Sequence, residues 1–210
     1  MLDNHGFDLW ADGYDKSVNI TDDKDLYPFA GYKKLINAIY NAVMAKSPAK
    51  ILDIGIGTGV LASKLYESGN IITGTDFSSE MLNQSRAKMP NATLIQHDFS
   101  NGLPSELSGE KFDFIISTYA LHHLTDSEKI SFIKSLLTHI DREGSILIGD
   151  VSFGDRESFN KCRIASGDEW DEDECYFVYS ELKNELLGYC TITYHQVSHC
   201  AGILEIGHLF

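Results

Sequence analysis

The residues best suited to chemistry are Asp53-Ile54-Gly55-Ile56-Gly57-Thr58-Gly59, three glycines at alternate positions behind an apolar run and ahead of a helix-forming one. Glycines there let the backbone turn tightly and let a ligand approach where a Cβ would collide, and the open N–H groups of a helix start suit a carboxylate. The spacing is GxGxG: Val60 stands where a dinucleotide loop needs a small residue, and no Gly-Lys-Ser/Thr of a triphosphate loop follows. Asp76 comes 21 positions after Gly55, at the end of the next apolar run, where a carboxylate accepts hydrogen bonds from ribose hydroxyls. Asp98 lies just past a third run and can accept from an exocyclic amine such as that of adenine. His122 and His123 follow a fourth, and unperturbed histidine titrates near neutrality, as a general base must.

Each residue also has a structural reading. Asp53 can hydrogen-bond the loop backbone, Gly57 and Gly59 can serve helix–strand packing, Asp76 and Asp98 can be surface carboxylates, and a loop histidine can rest against the next helix. The joint placement of Asp76 and Asp98 behind consecutive strands favours ligand binding.

These positions need a parallel sheet to bring them together. From residue 50 onward, β-branched runs alternate with stretches of helical period, the pattern of βαβ units. Strands are expected at Ile51 to Ile54, Ile71 to Thr75, Thr93 to Ile95, Phe112 to Ser117 and Ser145 to Ile148. Helices are expected at about 60 to 68, 78 to 89 with Ser78 as cap, and 126 to 140. An amphipathic helix at 29 to 45 precedes the sheet, buried through Leu35, Ile36, Ile39, Tyr40 and Val43. The tail carries a helix at about 179 to 187 and two strand-like runs, Thr191 to Val197 and Ala201 to Leu209. Only three residues separate those runs, so they pair antiparallel. The expectation is one domain, 1–210, with a helical cap (1–48), a cofactor-binding core (49–151), an acceptor-side insertion (152–178) and a terminal helix with its strand pair (179–210).

Composition narrows the function. With 17 basic and 31 acidic residues the net charge is −14, which opposes a nucleic-acid partner because phosphate binding needs clustered Lys and Arg. The start carries no basic cluster with an apolar core, and no apolar run reaches the roughly 18 residues that span a bilayer. The expected setting is therefore cytoplasmic, with no membrane partner. Cys162, Cys175, Cys190 and Cys200 form no CxxC pair and read as reduced structural thiols.

The loop Ile51 to Gly59, the stretch Gly74-Thr75-Asp76-Phe77-Ser78-Ser79-Glu80-Met81-Leu82, the pair Asp98-Phe99 and the segment from Phe112-Asp113 to His122-His123-Leu124 together resemble the class I S-adenosylmethionine-dependent methyltransferases. Phe7-Asp8-Leu9-Trp10-Ala11 and Tyr14-Asp15 are similar to the opening of small bacterial members. The resemblance implies a three-layer α/β, Rossmann-like sandwich with a seven-stranded, mostly parallel sheet and an antiparallel last strand. It also implies S-adenosyl-L-methionine as cofactor: its methionine part near Gly55 and Gly57, Asp76 on the ribose, Phe77 or Met81 against adenine, and Asp98 with the Phe99 backbone on the adenine edge. By the same resemblance Ser117 lines the cofactor beside the reacting sulfur.

His123 is preferred over His122 for the catalytic role, since it also sits in the segment shared with the small bacterial relatives. Tyr14 is the second catalytic candidate, in a segment expected to close over the cofactor; with Trp10 and Tyr119 it can form an aromatic wall beside the sulfonium. No metal is expected: His195 and His199 form HxxxH, but on a strand that spacing is roughly 13 Å. The acidic run Asp168 to Glu174 reads as a solvated loop or, more sharply, as a lid favouring a cationic acceptor. The expected activity is methyl transfer to a small molecule by in-line displacement. A non-enzymatic S-adenosylmethionine sensor and a nucleotide-cofactor oxidoreductase stand as alternatives, and the acceptor and oligomeric state stay open.

Overall fold

The computed structural model describes residues 26–209, so Trp10 and Tyr14 lie outside the described residues. Helix α1 (Tyr32–Met44) leads into strand β1 (Lys50–Ile54), then α2 (Val60–Glu67), β2 (Ile71–Asp76), α3 (Ser79–Lys88), β3 (Thr93–Gln96) and β4 (Phe112–Thr118). The chain continues through α4 (Asp126–Leu137), β5 (Ile140–Phe153), α5 (Arg156–Ser166), β6 (Phe177–Val178), α6 (Tyr179–Glu185), β7 (Thr191–Gln196) and β8 (Ala201–Gly207).

The sheet runs β3-β2-β1-β4-β5-β8-β7, with the two-residue β6 paired to the far end of β5. Strands β1 to β5 are mutually parallel, whereas β8 is antiparallel to both β5 and β7. Central strands covered on both faces must be apolar at successive positions, not at alternate ones. Ile51, Phe114, Ile116 and Leu147 accordingly meet α1 and α2 through Leu35, Ile39, Val43, Leu61 and Leu65. Their neighbours Leu52, Ile54, Ile115, Ile146 and Ile148 meet α4 and α6 through Phe132, Ile133, Leu136 and Leu182. Burying one such side chain contributes about 1.5 to 3 kcal/mol, so the three-layer stack is the main source of order around the strand ends.

Local signals set the helix starts. The Ser78 hydroxyl accepts from the Met81 N–H at 3.2 Å, as expected from sequence, and α4 opens on a reciprocal Thr125–Glu128 capping box. The sequence reading omitted α5, capped by Asp155 on the Ser158 N–H. Its buried face is narrow, with Cys162 the buried residue, so no long apolar stripe announces it. All four cysteines are free.

Candidate active site

The strand order reverses at β1: the chain fills β2 and β3 on one side, then returns to β4 and β5 on the other. A parallel sheet binds ligands outside the carboxyl ends of its strands at this point. The cleft there is lined by Asp53 and the loop Gly55 to Thr58, by Asp76, Phe77 and Met81, by Phe99, and by Thr118, Tyr119, Ala120, His123 and Tyr32.

The glycine loop is built for close approach. Gly55 has φ 68°, and a Cβ there would sit 2.6 Å from the Ala120 Cβ. Gly57 has φ 54°, yet its missing Cβ faces open space, so this glycine leaves room at the cleft and serves no packing contact. Gly59 does serve packing, since a Cβ would lie 2.8 Å from the Ser85 hydroxyl of α3. Helix α3 also pins the loop through Ser85 on the Gly57 carbonyl (2.7 Å) and Lys88 on the Thr58 carbonyl (2.8 Å). The Asp76 carboxylate accepts from the Gly57 N–H at 2.8 Å and the Ser78 N–H at 2.9 Å, joining the loop to the β2 end.

Asp53 does not bond the loop backbone through its buried oxygen: Oδ1 has no hydrogen-bond partner among the described residues. Burial, reinforced by the Asp76 charge, pushes its carboxyl well above the usual carboxylate range. A buried acceptor beside a second carboxylate, both on the wall of an open cleft, fits a cationic amine such as that of a methionine moiety. Asp98 is exposed and caps a short 3-10 turn, Phe99–Asn101, by accepting from the Ser100 N–H at 2.9 Å; Phe99 lines the cleft and Asp98 does not. Ser117 is buried and donates to the Ile54 carbonyl at 2.9 Å, tying β4 to β1. The residues that line the cleft at this end are Thr118, the last of the strand, and Tyr119 just past it.

The far wall is aromatic. Tyr119 stands against Phe29 (5.1 Å between ring centres) and Tyr32 (5.4 Å), and among the described residues it is the one non-glycine with positive φ, at 50°. Such backbone conformations cluster at functional sites. Trp170 is buried, stacked on Tyr27 at 5.1 Å and edge-on to Tyr176 at 4.9 Å, so the acidic run is anchored at its aromatic residue and is not a wholly solvated loop. His195, exposed on β7 beside Glu205, takes no part in the cleft.

His123 lines the cleft, while His122 is buried beside it and is not among the lining residues. Burial together with the neighbouring His122 pushes His123 down to about 4, leaving it neutral at physiological pH. Burial opposes charge on His122 too, but Asp150, 2.6 Å from Nδ1, and Glu174 outweigh it and hold His122 above its ordinary value. Asp150 does not figure in the sequence expectations, and Glu174 figures there only as the end of the acidic run. A carboxylate directly after the apolar run Ile146-Leu147-Ile148-Gly149 was the available signal, because a charge placed there needs a buried partner.

The cleft lies at the strand-order reversal of a Rossmann-like sheet. Residues 51–144 match the family model of the methyltransferase domain. An uncharacterised methyltransferase of Anoxybacillus flavithermus is 37% identical over 73% of this chain and 69% of its own length; one of Alkaliphilus oremlandii is 30% identical over 89% and 82%. Among solved structures, the magnesium protoporphyrin IX methyltransferase of Synechocystis with bound SAH superposes with a TM-score of 0.68 at 18% identity, covering 86% of this chain and 85% of its own. An S-adenosylmethionine-dependent methyltransferase of Clostridium acetobutylicum gives 0.69 at 16% identity over 93% and 98%. The chain belongs to the methyltransferase family. Among the described residues no helix is long and apolar enough to cross a membrane.

Proposed function

We propose that the chain methylates a small-molecule acceptor, and that the cofactor is held by Gly55, Gly57, Asp76, Phe77, Asp98 and Phe99 together with Asp53. The observation that carries this reading is the cleft itself: a loop with open space at Gly57 and a partnerless buried oxygen on Asp53 face an aromatic wall of Tyr32 and Tyr119. When bound, S-adenosylmethionine supplies an electrophilic methyl group on a sulfonium, which an acceptor lone pair displaces in line.

Asp53 and Asp76 would share the cationic amine and the ribose, with Phe77 and Met81 packing on the base. Asp98, exposed next to cleft-lining Phe99, would accept from the adenine edge. Ser117 acts one layer down by fixing the strand end that carries Thr118 and Tyr119. The neutral imidazole of His123 would accept a hydrogen bond from the acceptor and orient its lone pair; well-aligned reactants gain up to roughly 7 to 11 kcal/mol of the barrier. Tyr14 is assigned to the same side by its sequence context alone.

Two observations favour a small acceptor. The buried Tyr27–Trp170–Tyr176 cluster abuts His122, the neighbour of cleft-lining His123, through Tyr176 at 6.2 Å between ring centres, and the −14 charge repels polyanions. The test is transfer of labelled methyl from S-adenosylmethionine into a size-fractionated lysate. Label in the low-mass fraction is expected, whereas label confined to RNA or protein would sink the small-molecule reading.

A further inference from the structure

Beside the cleft, His122, His123 and Glu174 each offer one ligating atom, and these atoms all lie within 4.8 Å of one another. Both His122 and Glu174 have their second polar atom already engaged. His122 Nδ1 lies 2.6 Å from Asp150 Oδ1, which leaves Nε2 facing inward, 3.4 Å from Glu174 Oε1. Glu174 Oε2 accepts from the Tyr176 hydroxyl at 2.7 Å, which leaves Oε1 facing the same point. The main chain holds the two segments together, the Cys175 N–H donating to the His122 carbonyl at 2.8 Å.

A tetrahedral zinc ion with bonds near 2.0 to 2.2 Å needs ligand atoms roughly 3.4 Å apart, which is the His122–Glu174 spacing. Two imidazoles and one carboxylate are a zinc set that leaves a fourth position open. A carboxylate behind a ligating histidine is the arrangement that fixes its tautomer and orientation; Asp150 is fully buried and its Oδ1 is further set by the Val151 N–H at 2.8 Å.

We propose that His122, His123 and Glu174 form a three-ligand zinc site whose open position faces the methyl-transfer cleft and takes an acidic O–H or S–H of the acceptor. This rests on the reading of the cleft as the acceptor site, because His123 is the residue shared by both. Binding to a divalent cation lowers the pKa of such a group, so its proton leaves to solvent and the lone pair stays directed into the cleft. Spacing alone offers only the separated pair His195 and His199, hence the expectation of no metal; the adjacent pair His122 and His123 is completed by a carboxylate some 50 residues away.

The experiment uses the full chain, stripped with chelator, titrated calorimetrically with zinc and separately with S-adenosylmethionine, and loaded with cobalt for its visible spectrum. One zinc per chain and tetrahedral cobalt bands without thiolate charge transfer are expected. Glu174→Gln should lose zinc by more than about a hundredfold, and Asp150→Asn by about ten- to a hundredfold, the usual range for an outer partner. Both variants should keep their S-adenosylmethionine affinity.

Absence of zinc binding in the stripped wild type, or unchanged zinc affinity in Glu174→Gln, would overturn the site and leave a protonated His122 clasped by two carboxylates. A cobalt–thiolate band would overturn the ligand set in favour of Cys175. Zinc binding without S-adenosylmethionine binding would overturn the acceptor role alone.

Discussion

Replacing Asp53 by Asn tests the cofactor assignment through two quantities that should move in opposite directions. Asp53 is 3% exposed, its Oδ1 has no partner among the described residues, and the Asp76 charge lies beside it. Leaving a buried charged group unsatisfied costs about 1 to 3 kcal/mol or more. Removing that charge while keeping the shape should therefore stabilise the cofactor-free protein, by roughly 2 to 12 °C in Tm at 2 to 4 °C per kcal/mol for a chain of this size.

The sign depends on pH. A carboxyl whose folded pKa is raised contributes stability that is complete below its unfolded pKa, near 4, and is lost as pH rises through the folded value. The Tm advantage of Asp53→Asn should thus grow with pH above about 5, measured by calorimetry without cofactor. With S-adenosylmethionine the order reverses, because the variant loses a charge-assisted hydrogen bond worth about 1.5 to 3 kcal/mol, or roughly ten- to a hundredfold in Kd. A variant less stable than wild type without cofactor, yet unchanged in affinity, would refute the reasoning, since Asp53 would then have a structural partner and no ligand.

Four further substitutions separate structure from binding. Asp76→Ala removes the acceptor of the Gly57 and Ser78 N–H groups and should weaken S-adenosylmethionine about ten- to a hundredfold by titration calorimetry; full affinity would remove Asp76 from the site. Gly55→Ala adds a Cβ 2.6 Å from Ala120 at positive φ, so thermal unfolding should show a loss of about 1 to 3 kcal/mol for the overpacking and about 1 to 2 kcal/mol for the backbone. Gly57→Ala meets no atom within 4 Å at similar φ; it should cost the about 1 to 2 kcal/mol backbone term alone while lowering cofactor affinity disproportionately, and equal stability losses in the two variants would contradict that split. Thr125→Ala breaks the α4 capping box and should cost about 1 kcal/mol in denaturant unfolding with affinity unchanged.

What was legible in the sequence follows from where the physical constraint is local. Strand and helix period, the Ser78 cap and the GxGxG loop each declare themselves within about ten residues, because a glycine at positive φ or a cap acts on its own neighbours. The cofactor half of the cleft is made almost wholly of such segments, placed by the order of parallel strands. The fifth strand was read as Ser145 to Ile148 and runs from Ile140 to Phe153, since its amino-terminal half carries Asp141, Arg142 and Glu143, and exposed charged residues hide a strand from any apolar pattern. Helix α5 was hidden for the same reason.

The acceptor half follows a different logic. Tyr32, Tyr119, His122, Asp150, Trp170 and Glu174 come from four separate segments, and the polar and aromatic pairings that make them informative join residues far apart along the chain: Asp150 with His122, Glu174 with His122, Trp170 with Tyr27. No spacing rule encodes those pairs, because what fixes them is the cost of leaving a buried carboxylate or ring nitrogen unsatisfied, which is settled only once the sheet has brought them together. Such a half is free to change its ligand without disturbing the loop that holds the cofactor, whose geometry is set by Gly55, Gly57, Gly59 and the α3 residues pinning them. On the proposed reading of the cleft, the polar network around His122 would select the acceptor, and substitutions at Asp150, Tyr176 and Glu174 should alter which acceptor is used before they alter how tightly S-adenosylmethionine is held.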